Sequence, residues 1–184
     1  MISDFPFKGC IYSWDEWKTI PEEPGVYAIF FKSPDLVPSE YSELKKIVIN
    51  ANGLIYVGIP TSGTVRDRLK NHRGNSSSVS AFRRNLAALL IKQMSMVPYQ
   101  VKGKTTYHFS YSDEKKLTDW IVSNTYFRAI MCDHATAARY ERKLISEHCP
   151  ILNNKCNPEF SPLLEELIEQ CKAIAKPNDL RPKM

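Results

Sequence analysis

Apolar positions along this chain fall into two kinds of run. Residues 26–31 (Val-Tyr-Ala-Ile-Phe-Phe) are β-branched and aromatic without polar alternation, which predicts a strand covered on both faces. The turn signal Asn52-Gly53 leads into a second such run, residues 54–58, expected to pair antiparallel with the first. Helical spacing takes over at Thr64, a candidate N-cap, and runs to Arg73 before Gly74 stops it. The same reading predicts a helix over 79–94, a strand over 105–111, a helix over 113–122 behind Ser112 and a strand over 125–131. A helix over 136–148 ended by Pro150 follows, then a last amphipathic helix over 162–174. Ser13 opens a short helix ahead of Pro21, whereas residues 32–50 carry two prolines and mixed charge and predict no regular element.

The chain has 184 residues, 43% hydrophobic and 24% charged, which suits one self-sufficient core. No apolar stretch approaches the roughly 20 residues of a membrane span, and the first residues lack the pattern of a signal peptide, so an intracellular, cytoplasmic location is expected. The five cysteines are scattered without a C-x-x-C pair and read as reduced thiols. His148, Cys149 and Cys156 lie close in sequence but lack the fourth ligand of a tetrahedral site. The net charge of +5 is unevenly placed: residues 64–104 hold nine basic residues against the single acid Asp67, a local balance of +8 that leaves −3 for the rest. Such a run is either a solvated face or a surface for a polyanion.

Two charged residues stand inside apolar stripes. On the helix near residue 140, Ala137, Tyr140, Leu144, Ile145 and His148 mark the inward face, and Glu141 lies in the same stripe. An unpaired carboxylate there would cost several kcal/mol, so it either reaches solvent or a basic residue at the stripe's edge or meets a metal. On the helix after Tyr56, Val65, Leu69 and His72 face inward and Arg68 sits among them, one turn from His72. An inward Arg, an inward Glu, a His and buried tyrosines together suit phosphodiester hydrolysis, which needs a base, positive charge for the transition state and usually a divalent cation on carboxylate.

Gly25-Val26-Tyr27 and Tyr56-Val57-Gly58, followed in order by Arg68-x3-His72, Glu141 and Pro150-Ile151-Leu152-Asn153, resemble the GIY-YIG nucleases over residues 25–153. The resemblance implies an α/β fold of the α+β type, a small antiparallel central sheet flanked by helices. Residues 1–24 would form a helical extension, 25–156 the nuclease core with an insertion at 32–53, and 157–184 a C-terminal helix and a tail. It further implies that Tyr27 is the general base, that Tyr56 positions phosphate or water, and that Arg68 stabilises the phosphorane. Glu141 would hold one Mg²⁺ or Mn²⁺, His72 would relay or orient the proton of the tyrosine, and Asn153 would hold the site together or orient groups around the phosphate. Arg68 and the metal are expected to favour the phenolate of Tyr27. The implied activity is a metal-dependent DNA endonuclease; the alternative is a protein on the same fold that binds nucleic acid without cleaving it. Arg66, Lys70, Arg73, Arg83 and Arg84 are the candidate phosphate contacts. The insertion would be a lid, a DNA-contacting arm or a decorated hairpin, and dimerisation is one further source of specificity.

Overall fold

The sheet is built around β1 (Gly25–Phe31), buried along its whole length as its unbroken apolar run requires. Antiparallel partners flank it, β2 (Leu54–Gly58) on one side and β5 (Thr125–Met131) on the other, giving the order β2-β1-β5. The computed structural model describes residues 6–8, 10–74, 76–100 and 106–175, so Lys102, Lys104, the start of the 105–111 strand and the expected tail lie outside the described residues. Helices α1 (Ser42–Asn50), α2 (Val65–Arg73), α3 (Ala81–Leu90), α4 (Tyr111–Asn124), α5 (His134–His148) and α6 (Pro162–Ile174) surround the sheet, and the short strands β3 (Tyr99–Gln100) and β4 (Tyr107–His108) pair separately. The fold is α/β with a small antiparallel sheet, as expected.

Alternation along β1 divides the core. Tyr27, Ile29 and Phe31 point into the larger cluster with side chains of α2, α3 and α4, whereas Val26, Ala28 and Phe30 pack with Leu144 and Ile145 of α5. In β2 the register slips between Ile29 and Phe30, whose partners are Tyr56 and Leu54, so Ile55 is an extra residue. This bulge leaves Ile55 and Tyr56 in the same cluster as Tyr27. The N-terminal segment joins that core through a 3₁₀ turn at Trp14–Thr19, where Trp14 is buried and its Nε1 donates to Thr125 Oγ1 at 2.7 Å.

Helix starts follow local capping chemistry. Thr64 Oγ1 accepts from Asp67 N at 3.2 Å and Asp67 returns a bond to Thr64 N at 3.0 Å, a capping box that opens α2. Ser110, rather than the expected Ser112, caps α4 by accepting from Asp113 N at 3.2 Å, so that helix begins two residues early. The expected 79–94 helix is shorter because Ser80 is extended and separates a 3₁₀ turn at Ser77–Val79 from α3. α1 is an element the sequence reading missed: Tyr41, Leu44, Val48 and Ala51 recur at helical spacing and are all buried. Among the described residues no helix is long and apolar enough to cross a membrane.

The insertion leaves the sheet after Phe31 and returns at Leu54, whereas Tyr27 pairs with Gly58 at the other end of the hairpin.

Candidate active site

Tyr27 from β1 and Tyr56 from β2 lie on one sheet face with ring centroids 6.3 Å apart. Tyr27 is the inner residue, 0% exposed, and Tyr56 the outer, 9% exposed. The glycine that faces Tyr27 across the strands is a steric requirement. A Cβ on Gly58 would collide with Tyr27 Oη, stand 2.7 Å from its Cζ and reach 2.9 Å from Tyr56 Cε1. Gly25 answers to a different neighbour, since a Cβ there would run into the Ile130 carbonyl of β5.

α2 brings Arg68 and His72 to the same face. His72 is wholly buried against Tyr27, Tyr56 and Phe82, with centroid separations of 5.4, 5.8 and 5.2 Å. Its Nε2 meets Tyr27 Oη at 2.6 Å and its Nδ1 meets Ser80 Oγ at 2.8 Å. Burial first, then the positive charges of Arg68 and Arg83, hold its pKa well below the usual imidazole value. Arg68 is half-buried within interaction range of both tyrosine hydroxyls, and its buried Nε has no hydrogen-bond partner among the described residues. Burial disfavours its charge, yet the two tyrosines outweigh that and raise its pKa.

Glu141 comes from α5 on the opposite sheet face, and its carboxylate lies close enough to the backbone N–H of Ile59, just past the end of β2, to be stabilised by it. Burial raises its pKa; the Ile59 N–H, Arg68 and Arg142 pull the other way without prevailing. The carboxylate also acts on both tyrosines, so residues from β1, β2, α2 and α5 share one electrostatic centre. Glu141 forms no ion pair among the described residues, and no group of three or more His, Cys, Asp or Glu there would hold a metal. A single half-buried carboxylate without an ion pair among the described residues fits an ion such as Mg²⁺, which takes one or two protein carboxylates and fills its other positions with water and phosphate.

Residues 25–174 match the family described as GIY-YIG catalytic domain. The chain belongs to the GIY-YIG nuclease family. Comparison with curated proteins and with solved structures finds no match. Membership supplies what geometry by itself does not, a nuclease chemistry for the family as a whole.

The remaining candidates divide. Asn153 does not project toward the tyrosines' hydroxyls but bonds the β2 backbone, Oδ1 accepting from Val57 N and Nδ2 donating to Val57 O, both at 2.8 Å. It acts as a one-residue strand along the outer edge of β2, between Tyr56 and Gly58, and so positions the motif. Arg83 corrects the expectation of a phosphate contact: it is 0% exposed and its Nη2 is 2.6 Å from Glu114 Oε2. Arg66 bonds Glu22 and the Ile20 carbonyl at 2.5 Å, and Arg73 bonds Asp15 at 3.1 Å, tying the N-terminal turn to α2. Lys70 is exposed on α2. Arg84 lies near the site: its Nη1 donates to the carbonyls of Ser77 (2.6 Å) and Ser78 (3.2 Å), and its charge lowers the pKa of Tyr56, where burial still dominates and raises it. Ser80, Glu114 and the Ile59 N–H escaped the sequence reading. Only Ser80 carried a signal, as a capping residue at the start of an apolar helix.

Gly58→Ala is expected to separate stability from activity in this site. The added methyl would cost about 1–3 kcal/mol as overpacking. Displacing the Tyr27 hydroxyl by about 1 Å would cost on the order of 10²-fold in rate. Thermal melts beside turnover measurements would check it, and a variant with full activity would remove the steric reading of the motif.

Proposed function

We propose that this protein is a divalent-metal-dependent endonuclease that hydrolyses DNA phosphodiester bonds at a single-ion site. The observation that carries the proposal is the meeting of Tyr27, Tyr56, Arg68 and Glu141 at one end of the β1–β2 hairpin, in a chain of nuclease family. The phenolate of Tyr27 takes a proton from water as the water oxygen attacks phosphorus, the bond from phosphorus to the leaving sugar oxygen breaks and that oxygen takes a proton from solvent, and Tyr56 positions the phosphate. Arg68 suits the non-bridging oxygens, since its planar fork stays charged and its Nε is buried without a partner among the described residues. Glu141 would hold Mg²⁺ or Mn²⁺, whose contribution when bound is positive charge offsetting that developing on the phosphate. Arg84, anchored at one nitrogen beside Tyr56, is the best-placed contact for an adjacent phosphate, and exposed Lys70 supports general attraction to the backbone.

Plasmid DNA incubated with the protein and Mg²⁺ should pass from supercoiled to nicked and linear forms, and chelation should stop it. Glu141→Gln should slow cleavage by at least about 10²–10³-fold, the scale of removing one charge interaction from a transition state. Its melting temperature should hold or rise, because the folded state already disfavours the charged carboxylate. Mg²⁺ should raise the melting temperature of the wild type and not of Glu141→Gln. Undiminished cleavage by Glu141→Gln would sink the metal assignment; DNA binding without cleavage by the intact protein would favour the silent binding protein.

A further inference from the structure

The proton arrangement behind Tyr27 is set by a residue outside the family-like motif. His72 is buried and neutral, so its ring carries one proton, and both nitrogens are engaged, with Tyr27 Oη at 2.6 Å and Ser80 Oγ at 2.8 Å. Ser80 is itself 0% exposed. Its Oγ accepts the capping bond of α3 from Arg83 N at 3.1 Å, which leaves its hydrogen in need of an acceptor. Among the described residues His72 Nδ1 is the acceptor within reach. With the ring proton on Nδ1, Oγ would accept twice and its hydrogen would be stranded in the interior, an arrangement buried hydroxyls avoid.

We infer that Ser80 is a positioning residue whose hydroxyl donates to His72 Nδ1, so that His72 keeps its proton on Nε2 and donates it to the phenolic oxygen of Tyr27. The hydrogen of Tyr27 is then free to point toward the neighbouring, more exposed Tyr56. The chain of donors runs Ser80 to His72 to Tyr27, outward from the core. In that direction Nε2 has no lone pair to offer, and His72 does not receive the proton of Tyr27. Its part is to hold an N–H on the phenolate, favouring ionisation. The proton Tyr27 loses leaves on the Tyr56 side toward solvent, and the phenolate takes its proton from the attacking water.

The tautomer follows from geometry; its effect on rate rests on the nuclease reading. The test is ¹⁵N NMR of histidine-labelled full-length protein, with the four histidines assigned by substituting His108, His134 and His148 singly. The wild type should show His72 protonated at Nε2 and bare at Nδ1. Ser80→Ala should mix or reverse the tautomers and lower kcat by about 10–100-fold with little change in KM, the usual scale for losing a group that orients a working histidine. Ser80→Thr, which keeps the hydroxyl, should retain the wild-type tautomer and rate. A wild-type proton on Nδ1, or a tautomer unmoved in Ser80→Ala, overturns the inference. Should Ser80→Ala fail to fold, the wild-type and Ser80→Thr spectra still decide it. An Nε2 proton in a protein that cuts no DNA would remove the nuclease reading alone, and an Nδ1 proton in one that does cut would remove the role of Ser80 alone.

Discussion

Tyr27→Phe is expected to slow DNA cleavage by roughly 10²–10⁴-fold, the usual contribution of a positioned general base. The ring contacts with Tyr56 and His72 survive and only Oη is lost, so the circular dichroism spectrum should not change. His72 Nε2 loses its partner, which should cost roughly 1–3 kcal/mol. Sequence reasoning expects Arg68 and a bound metal to favour the phenolate of Tyr27, and Arg68 does pull in that direction. Burial dominates, Tyr56 adds to it, and the opposing charge of Arg68 is outweighed, leaving the Tyr27 pKa well above its ordinary value. The protein therefore carries a neutral phenol at pH 7. Below its pKa the basic form grows about tenfold per pH unit, so log rate should climb with a slope near 1 between about pH 7 and 9. In Tyr27→Phe the profile should be flat. Tyr56→Phe supplies the comparison, because Tyr56 is the more exposed of the two hydroxyl-bearing rings. A larger loss there than in Tyr27→Phe would move the base role to the outer tyrosine.

The second large effect lies beneath the site. Arg83 and Glu114 form a buried ion pair in which every strong contact ties one element to another. Arg83 Nη1 donates to the His72 carbonyl at the end of α2 and to Thr118 Oγ1, both at 3.0 Å, and Nη2 donates to Glu114 Oε2 at 2.6 Å. Glu114 Oε1 accepts from Ser77 N at 2.6 Å. Glu114→Ala strands a guanidinium in the core and should cost about 3–5 kcal/mol in urea denaturation, far above the 0–1 kcal/mol usual for surface pairs. Replacing both partners with apolar residues of similar volume should recover much of that loss, which a double-mutant cycle would read as coupling. A cost below about 1 kcal/mol for Glu114→Ala would show that water reaches the pair. Because Arg83 holds the carbonyl of His72, the single variant should lose cleavage along with stability.

The parts of the site that were readable share one property: each is set by local periodicity. The strands carrying Tyr27 and Tyr56 announce themselves by unbroken apolar runs, and Arg68 and Glu141 by standing in stripes where charge is costly. What was hidden depends on partners distant in sequence. Arg83 looked like a phosphate ligand because nothing near it reveals Glu114, 31 residues away. Arg66 and Arg73 likewise meet acids 44 and 58 residues away. α1 was missed for another reason: flanking prolines and charges masked a short buried stripe. Asn153 was read as a site residue, and its bonds to Val57 put its work one step behind the chemistry.

The hairpin's long connection bears on how this scaffold can change. Four steps along the strand separate Tyr27 from Phe31, about 13 Å at roughly 3.3 Å per residue. The active-site tyrosines and the 32–53 connection thus occupy opposite ends of one rigid ruler. Lengthening residues 32–53, or grafting a recognition module there, would leave the spacing of Tyr27, Tyr56 and Gly58 untouched, so such a nuclease can acquire new targets without rebuilding its chemistry.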